Sequence, residues 1–281
     1  MSRVTVSPTK LDAWQSCPRR YRLQYVERIK VDGRWAHFTV ANAVHGALRD
    51  WFDLEPAQRT IQVIPGLIGK SWSRAGFRDD DQAATWREIA ARMVAEYLER
   101  HRPPQPFSCE RTLGALTEHA SITGRIDRID EVHGSGQEAG ELVIVDYKTG
   151  KQVPTDDDAR VSRALAIYAS AVRMSLRRPC FTVQLHHVPT GVVAQARHTP
   201  ESLQRQLDRV DGLARDIAVA QESGDIDAFP PAPGPLCGWC DFREHCPEGR
   251  AVAPKERWAG LAEVDDQPSL DGPSTAQDSH P

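Results

Sequence analysis

The residues best suited to chemistry lie at the end of one apolar segment. Residues 141–147 (ELVIVDY) are rich in β-branched side chains, which favours a buried strand. Asp146 and Lys148 stand two positions apart there, so their side chains point to the same face. Asp127, in the run GRID at 124–127, falls in a neighbouring hairpin strand, where its carboxylate can meet that of Asp146. Two carboxylates with waters suit Mg²⁺ or Mn²⁺, and the lysine can orient or help deprotonate an attacking water; a surface ion pair is the simpler alternative.

A second group of reactive side chains is a run of three closely spaced cysteines near the C-terminus. They are Cys237, Cys240 and Cys246. Such spacing in a chain with few cysteines indicates ligation of a metal or a cluster, and a closed site needs a fourth ligand. Cys17, beside a helix start at Pro18, and His245 are both candidates for that ligand. The remaining cysteines, Cys109 and Cys180, lie in strand-like segments typical of ordinary buried thiols.

Charge is distributed unevenly along the chain. Among residues 1–30, seven are basic and two are acidic, whereas residues 250–281 hold three basic and six acidic side chains. The N-terminal excess, which includes Arg19 and Arg20, can bind a polyanion even though the formal net charge is −4. A solvated helix face would explain the same residues.

Hydrophobic periodicity predicts the elements that must position these groups. Helices are predicted from Ser7, an N-cap before Pro8, and over residues 41–53, 85–101, 158–176 and 200–222. Strands are predicted within 108–131, with a bend near Gly114, and over 141–147, 181–188 and 192–198. This order predicts an α/β (α+β) domain in which a central mixed sheet is flanked by helices.

Length and composition limit the class of protein. The 281 residues, 40% hydrophobic and 26% charged, can bury a core without disulfides. We find no apolar run long enough for a membrane span, no secretory signal and too few cysteines for a disulfide scaffold, so we expect a cytoplasmic protein that does not bind membranes. We expect one domain over residues 1–250 and an acidic, disordered tail over 251–281.

Four motifs occur together in a recognisable order. They are SPTKLDAWQSCPRRYRLQYV at 7–26, GRIDRID at 124–130, VDYKTG at 145–150 and CGWCDFREHC at 237–246. In this order they resemble the RecB-type branch of the PD-(D/E)XK nucleases, and in particular its iron–sulfur members. Those members include the AddB nuclease domain and the CRISPR-associated exonucleases. The resemblance implies a restriction-endonuclease-like core over residues 7 to about 250.

The resemblance also implies ligands. Cys17 would join the three C-terminal cysteines around a 4Fe-4S cluster, which would connect the N- and C-terminal segments. His45, Asp127 and Asp146 match the family's metal-binding residues, and the main-chain carbonyl of Tyr147 commonly completes that set. Asp127 and Asp146 would thus be both metal-binding and catalytic, and Lys148 matches the catalytic lysine.

Two further family positions are informative. Glu110 matches a recurrent acidic position, for which an ion pair is an equal explanation. Tyr168 matches the tyrosine of a Gln-x-x-x-Tyr motif, but Ala164 stands where the family has glutamine. The resemblance therefore implies a DNA contact by Tyr168 without its glutamine neighbour, and we expect Arg19 and Arg20 to contribute to DNA binding.

These observations favour a divalent-metal-dependent DNA nuclease, an exonuclease acting on single-stranded DNA or DNA ends in repair or recombination. DNA is the expected partner, and a helicase or another repair protein is compatible with the resemblance. Two alternatives stay open. One is a non-catalytic DNA-binding or assembly module that keeps the fold and the cluster, and the other is a zinc-stabilised protein with a redox or regulatory role.

Overall fold

The sheet that positions the candidate residues is mixed. The computed structural model describes residues 3–31, 33–136 and 138–261, and within them it shows a sheet of six strands. The strands are β1 Val4–Val6, β2 Ser108–Leu116, β3 Ala120–Glu131, β4 Leu142–Lys148, β5 Thr182–His187 and β6 Val192–Arg197. Their order is β1-β3-β4-β5-β6, with β2 paired to the remaining edge of β3. This confirms the predicted central mixed sheet.

The strand β3 has an interrupted edge. β2 pairs with β3 in antiparallel orientation from residue 121 to 129. On the other edge, β1 pairs in parallel with residues 120–122 and β4 in antiparallel orientation with residues 128–131. Residues 123–127 therefore have no strand partner on that edge within the described chain. β3 and β4 separate at this point, which opens a fork between them.

Helices cover both faces of the sheet. They are α1 Pro8–Ser16, α2 Pro18–Tyr21, α3 Ala36–Asp53, α4 Ile64–Ser71, α5 Asp80–His101, α6 Asp156–Val161, α7 Arg163–Leu176, α8 Pro200–Ser223 and α9 Pro247–Arg250. A turn of π-helix, Arg22–Val26, extends α2. Short 3₁₀ turns occur at Pro56–Gln58, Ile61–Val63, Ile226–Ala228, Pro235–Trp239 and Arg243–His245. Among the described residues, no helix is long and apolar enough to cross a membrane.

The alternation of β4 divides its side chains between two cores. Leu142 and Ile144 pack into a cluster with α6 and α7. Val145 and Tyr147 pack on the opposite face with α3, α4 and α5. Because side chains two apart share a face, Asp146 continues the row of Ile144 at the open end of the strand. A fully buried strand thus ends in a carboxylate at the fork.

Local capping explains where several helices begin and end. The Oγ of Ser7 accepts a hydrogen bond from the Lys10 amide, so the predicted cap is confirmed. The Sγ of Cys17 accepts from the Arg20 amide at 3.4 Å, which places this cysteine at the start of α2 as predicted. Ser162 caps α7, and the predicted helix 158–176 is therefore two helices, α6 and α7.

The start of the expected disordered tail is folded. The Lys255 amide donates to the carbonyl of Gly238 at 2.8 Å, and the Ala36 amide donates to that of Arg257 at 3.1 Å. Leu261 packs against the core beside α3. The assignment of residues 251–261 to a disordered tail is therefore corrected, because these residues cover the start of α3. The rest of that tail, residues 262–281, lies outside the described residues.

Candidate active site

The two sequence-predicted carboxylates lie on opposite sides of the fork. Arg128 and Val145 are the last paired residues of β3 and β4, so Asp127 and Asp146 come next on each strand. The main-chain amide of Tyr147 donates to Asp127 Oδ2 at 2.9 Å, which bridges the fork and orients this carboxylate. The sequence argument that adjacent strands bring Asp127 and Asp146 together agrees with this register.

Helix α3 supplies a histidine to the same site. His45 Nδ1 lies 3.4 Å from Asp127 Oδ1, and the imidazole contacts the Tyr147 ring edge-on, with the ring centres 5.8 Å apart. Within the described chain, ligand atoms of His45, Glu110 and Asp127 lie within 4.8 Å of one another. An imidazole and two carboxylates are suitable ligands for a divalent cation.

Glu110 is the site residue that sequence reasoning left without a role. It lies across from Asp127 in the register of β2 and β3, and its φ of +50° is left-handed, a conformation rare in a strand. Its Oε2 is 2.7 Å from Arg125 Nε. Backbone strain of this kind concentrates at functional sites. Its acidic type was visible in the sequence, but its backbone conformation was not.

Lys148 lies beside Asp146. Its Nζ is 2.6 Å from Asp146 Oδ2, and about half of the lysine side chain is exposed. His187 holds the loop that follows, because its Nε2 contacts the carbonyl of Gly150 at 2.7 Å and its Nδ1 contacts Thr190 Oγ1 at 2.8 Å. His187 thus fixes the loop after β4, and the ion pair with Asp146 holds the ammonium at the fork.

The crowding of charge shifts the protonation of these groups. Burial, and next the charge of Asp127, raise the pKa of Asp146 against the lowering effect of Lys148. Burial also raises the pKa of Glu110. Burial opposes ionisation of Asp127 too, but the hydrogen bond and charge of His45 and the Tyr147 amide lower its pKa. The site therefore holds one carboxylate that ionises readily and two that ionise reluctantly.

Two buried carboxylate oxygens of the site have an ion-pair partner but no well-formed hydrogen bond. In the described part of the chain, Glu110 Oε2 lies 2.7 Å from Arg125 Nε and Asp146 Oδ2 lies 2.6 Å from Lys148 Nζ, and neither oxygen accepts a hydrogen bond of good geometry. A divalent cation would satisfy such oxygens and stabilise their ionised forms. The residues present therefore fit a divalent metal.

Tyr168 faces the unpaired segment of β3. Its ring lies so close to Gly124 that a Cβ at that position would be 2.5 Å from Tyr168 Cε1. Burial, and next the charges of Asp146 and Asp127, raise the pKa of the Tyr168 hydroxyl, so it lies near both acids. Ala164 precedes it by one helical turn of α7. The structure thus brings Tyr168 to the fork; its contact with DNA stays a prediction.

A comparison with known protein families decides what this arrangement is. The sequence profile of the PD-(D/E)XK nuclease superfamily matches residues 5–247. The chain belongs to the PD-(D/E)XK nuclease superfamily. Nucleases of this superfamily use divalent metals, and the group His45, Glu110 and Asp127 fits such an ion.

Other comparisons concern individual proteins. No curated protein matches this nuclease in sequence. The solved structure of a candidate exonuclease from Eubacterium rectale is similar at 13% identity, covering 73% of this chain and 76% of that chain with a TM-score of 0.41. The structure of SSO0001 is similar at 14% identity, covering 86% and 85%, with a TM-score of 0.40. Likenesses this distant carry no argument about activity.

A buried network of hydrogen bonds around Arg128 supports the nuclease site. Arg128 Nη1 donates to Tyr147 Oη at 2.8 Å and to Tyr97 Oη at 3.2 Å, and Nη2 donates to Asp130 Oδ2 at 2.9 Å. Tyr97 Oη lies 2.7 Å from His186 Nδ1. Burial opposes the charge of Arg128, but these tyrosines and Asp130 raise its pKa. The only sequence signal for this network was a charged residue between the apolar positions of β3.

The four predicted cluster ligands come together at one place. Cys17, Cys237, Cys240 and Cys246 line a single small pocket between α2 and the C-terminal turns. His245, the rival fourth ligand, is not among the described residues that line it. The donor set therefore fits a centre with four thiolate ligands.

The other two cysteines are of a different kind. Cys109 is half-buried in β2 and Cys180 is buried before β5. Burial raises the pKa of each thiol to about 12. Neither lines the cysteine pocket.

The N-terminal arginines lie beside the cysteine pocket. Arg19 Nε donates to the carbonyl of Phe229 at 2.9 Å, and its Nη2 donates to that of Ile226. Arg20 lines the pocket, and its Nε is buried without a hydrogen-bond partner in the described chain. These contacts tie α2 to the C-terminal region; binding of DNA by Arg19 and Arg20 stays a prediction.

Proposed function

We propose that this chain is a divalent-metal-dependent DNA nuclease, an exonuclease that acts on single-stranded DNA or DNA ends. One observation carries the proposal: ligand atoms of His45, Glu110 and Asp127 lie within 4.8 Å of one another where β3 and β4 separate, and the Asp146–Lys148 pair, outside that group, lies across the fork on β4. A purely structural role does not explain three carboxylates in one half-buried site, because each raises the free-energy cost of ionising the others. A nuclease that binds a divalent cation at a phosphodiester backbone, by contrast, requires such acidic side chains.

The residues divide the chemical work. His45, Glu110 and Asp127 would hold the cation, with Asp146 and the Tyr147 carbonyl close to it. A bound divalent cation acts as a Lewis acid that stabilises negative charge on the phosphate. Asp146 holds the ammonium of Lys148 at the open side of the fork, where it can orient an attacking water and stabilise the developing charge.

The cysteine pocket supports the assignment to the iron–sulfur branch of RecB-type nucleases. All four cysteines, Cys17, Cys237, Cys240 and Cys246, line it, which supplies the four thiolates that a 4Fe-4S cluster needs. Four thiolates would also suit zinc, and the order of motifs that resembles the iron–sulfur members favours the cluster. Its role would be to join the two ends of the domain.

A non-catalytic DNA-binding or assembly module is the second candidate. The alanine at position 164 and the near balance of charge over residues 1–249, with 32 basic and 33 acidic side chains, favour it, whereas the acidic site with Lys148 disfavours it. A cytoplasmic location is an expectation from the sparse cysteines, and a helicase or other repair partner is an expectation from the family resemblance.

The test is digestion of end-labelled single-stranded and double-stranded DNA with Mg²⁺ or Mn²⁺. Asp146→Ala should lower the cleavage rate by about two orders of magnitude or more, because it removes transition-state charge stabilisation. Asp208→Ala removes an exposed acid on α8 and should leave the rate unchanged. Activity of Asp146→Ala within about threefold of wild type would contradict the proposed site. No cleavage by the wild type with either cation would favour the non-catalytic module.

A further inference from the structure

One face of α3 leads from a basic loop to the candidate metal site. Residues spaced four and three apart on a helix share a face, and Phe38, Asn42 and His45 have this spacing. Phe38 is 54% exposed and Asn42 is exposed, whereas His45 reaches Asp127. The rise of an α-helix places Phe38 about 10 Å along the axis from His45. An exposed aromatic ring thus stands two turns from the candidate metal ligands, on their face.

Exposed cations precede this face. Arg28, Lys30 and Arg34 lie in the segment between the π-turn and α3, and all three side chains are exposed. Their side chains make no ion pair or hydrogen bond with any described residue. Many exposed arginines elsewhere are paired with acids, as Arg74 is with Asp80. Cations without an acidic partner among the described residues, on the segment that leads into α3, suit a polyanion, because binding releases the counterions of its phosphates.

The start of α3, which carries the exposed ring, is held in place by aromatic contacts. The Phe38 ring centre lies 4.4 Å from that of His37, and Trp35 packs on Trp239 with ring centres 5.0 Å apart. Trp35 Nε1 also donates to Asp241 Oδ1 at 2.8 Å. Trp239 and Asp241 belong to the segment 237–246, which carries three of the pocket cysteines, so that segment fixes the start of α3. Because the helix start is fixed, its backbone has little conformational freedom to lose when a base stacks on Phe38.

We infer that Phe38, Asn42 and His45, which we call the α3 track, guide a single nucleic-acid strand from the basic segment before α3 to the metal site, with an unpaired base stacked on Phe38. This inference rests on the proposed nuclease function and names its substrate form. Base–aromatic stacking needs a base whose face is free, which an unpaired strand offers and a closed duplex does not. The basic segment would contact the phosphates that precede that base.

Binding of oligothymidylate to the full chain tests the inference, with cleavage blocked by Asp146→Ala. Adding Phe38→Ala should weaken binding about 5- to 150-fold, the loss expected for one stacked base. Phe38→Trp should retain the affinity, and Phe38→Leu should lose most of it although it stays apolar. Leu116→Ala is the control, since Leu116 is an exposed apolar residue at the far end of β2, away from Glu110, and should leave the affinity unchanged. Thermal unfolding of each variant checks that the fold is kept.

An abasic strand of the same length separates stacking from other effects. Wild-type affinity for it should be lower than for oligothymidylate, and Phe38→Ala should cause no further loss. A covalently closed duplex should show no dependence on Phe38. Equal affinity of Phe38→Ala and its parent for oligothymidylate, or an equal loss on the abasic strand, would overturn the inference.

Failure of the inference is distinct from failure of the nuclease proposal. If the wild type digests single-stranded DNA and Asp146→Ala does not, the nuclease site is supported regardless of Phe38. Unchanged binding by Phe38→Ala in that case would show that the strand reaches the metal by another face.

Discussion

Removing one hydroxyl group from Tyr147 should test how the buried network supports the active site. Tyr147 links three parts: its amide orients Asp127, its ring packs against His45, and its hydroxyl accepts from Arg128 at 2.8 Å. Tyr147→Phe keeps the amide and the ring and removes only the hydroxyl. The substitution therefore isolates the contribution of the bond to Arg128.

The expected cost follows from the geometry. A hydrogen bond to a charged donor contributes about 1.5–3 kcal/mol to folding stability. Arg128 keeps Tyr97 at 3.2 Å and Asp130 at 2.9 Å, so its charge stays partnered. We therefore expect Tyr147→Phe to lower the free energy of unfolding by about 2 kcal/mol rather than by the larger cost of an unpaired buried charge.

Part of this loss should reach the metal site. The end of β4 is held at the fork by the bond from Arg128 and by the Tyr147 amide. Loosening one of these anchors should raise the Mn²⁺ concentration needed for half-maximal cleavage, and saturating Mn²⁺ should restore most of the rate. A purely structural hydroxyl would change stability without changing this concentration.

Urea unfolding and a Mn²⁺ titration of cleavage are the assays. Tyr25→Phe is the matched control, because no described residue is hydrogen-bonded to the Tyr25 hydroxyl, and it should change neither value. A loss for Tyr147→Phe below about 0.5 kcal/mol, no greater than that of Tyr25→Phe, would refute the reasoning. If Tyr147→Phe shows the full loss of stability but an unchanged Mn²⁺ dependence, the network contributes to folding and not to metal binding.

Three further outcomes are expected. Cys17→Ala should lose bound iron and thermal stability together, whereas Cys109→Ala should keep its iron. Iron analysis and thermal melting measure both effects. Full iron content in Cys17→Ala would exclude Cys17 as a ligand. Burial, with the charges of Arg128 and His101, lowers the pKa of His186 to about 3, so between pH 6.5 and 3 the unfolded chain binds a proton that the folded protein excludes. Unfolding free energy should therefore fall by about 1.4 kcal/mol per pH unit as pH drops through that window, and His186→Gln should show a correspondingly smaller slope in urea titrations. Gly124→Ala, which puts a methyl 2.5 Å from the neighbouring tyrosine ring, should destabilise by about 1–3 kcal/mol, whereas Gly66→Ala, with nothing within 4 Å, should not.

The bend between β2 and β3 shows where local sequence signals fail. We predicted it near Gly114, but Gly114 is paired with Thr123 inside the ladder, and the strands turn through residues 117–119. Asp211 of α8 fixes this turn, because its Oδ1 accepts from the His119 amide at 2.7 Å and from Thr117 Oγ1. A contact from a residue so distant in sequence leaves no signal in the segment itself.

Other elements were missed for related reasons. β1 has only three residues and exists because it pairs with residues 120–122. α4 contains two glycines and one proline, which lower its intrinsic helix propensity, and it is stabilised by packing against α3 and α5. In both cases tertiary contacts outweigh a weak local preference.

The sequence by itself determined the parts that depend on local chemistry. The β-branched run before Asp146 specifies a buried strand, the Ser7-Pro8 and Cys17-Pro18 pairs specify helix starts, and the periodic helices follow from their apolar spacing. These features need only near neighbours, so they can be read from the chain. The superfamily also follows from the order of motifs that such elements carry.

Only the tertiary structure decided which of these groups share a site. The fork between β3 and β4 places Asp127 beside His45 of α3, and Glu110, with its left-handed backbone, adds a third candidate ligand there. Arg128 became a buried anchor because Tyr97 and Tyr147 surround it. Such meetings depend on the three-dimensional packing of helices and strands far apart in sequence, and the free energy of that packing is absent from any local segment.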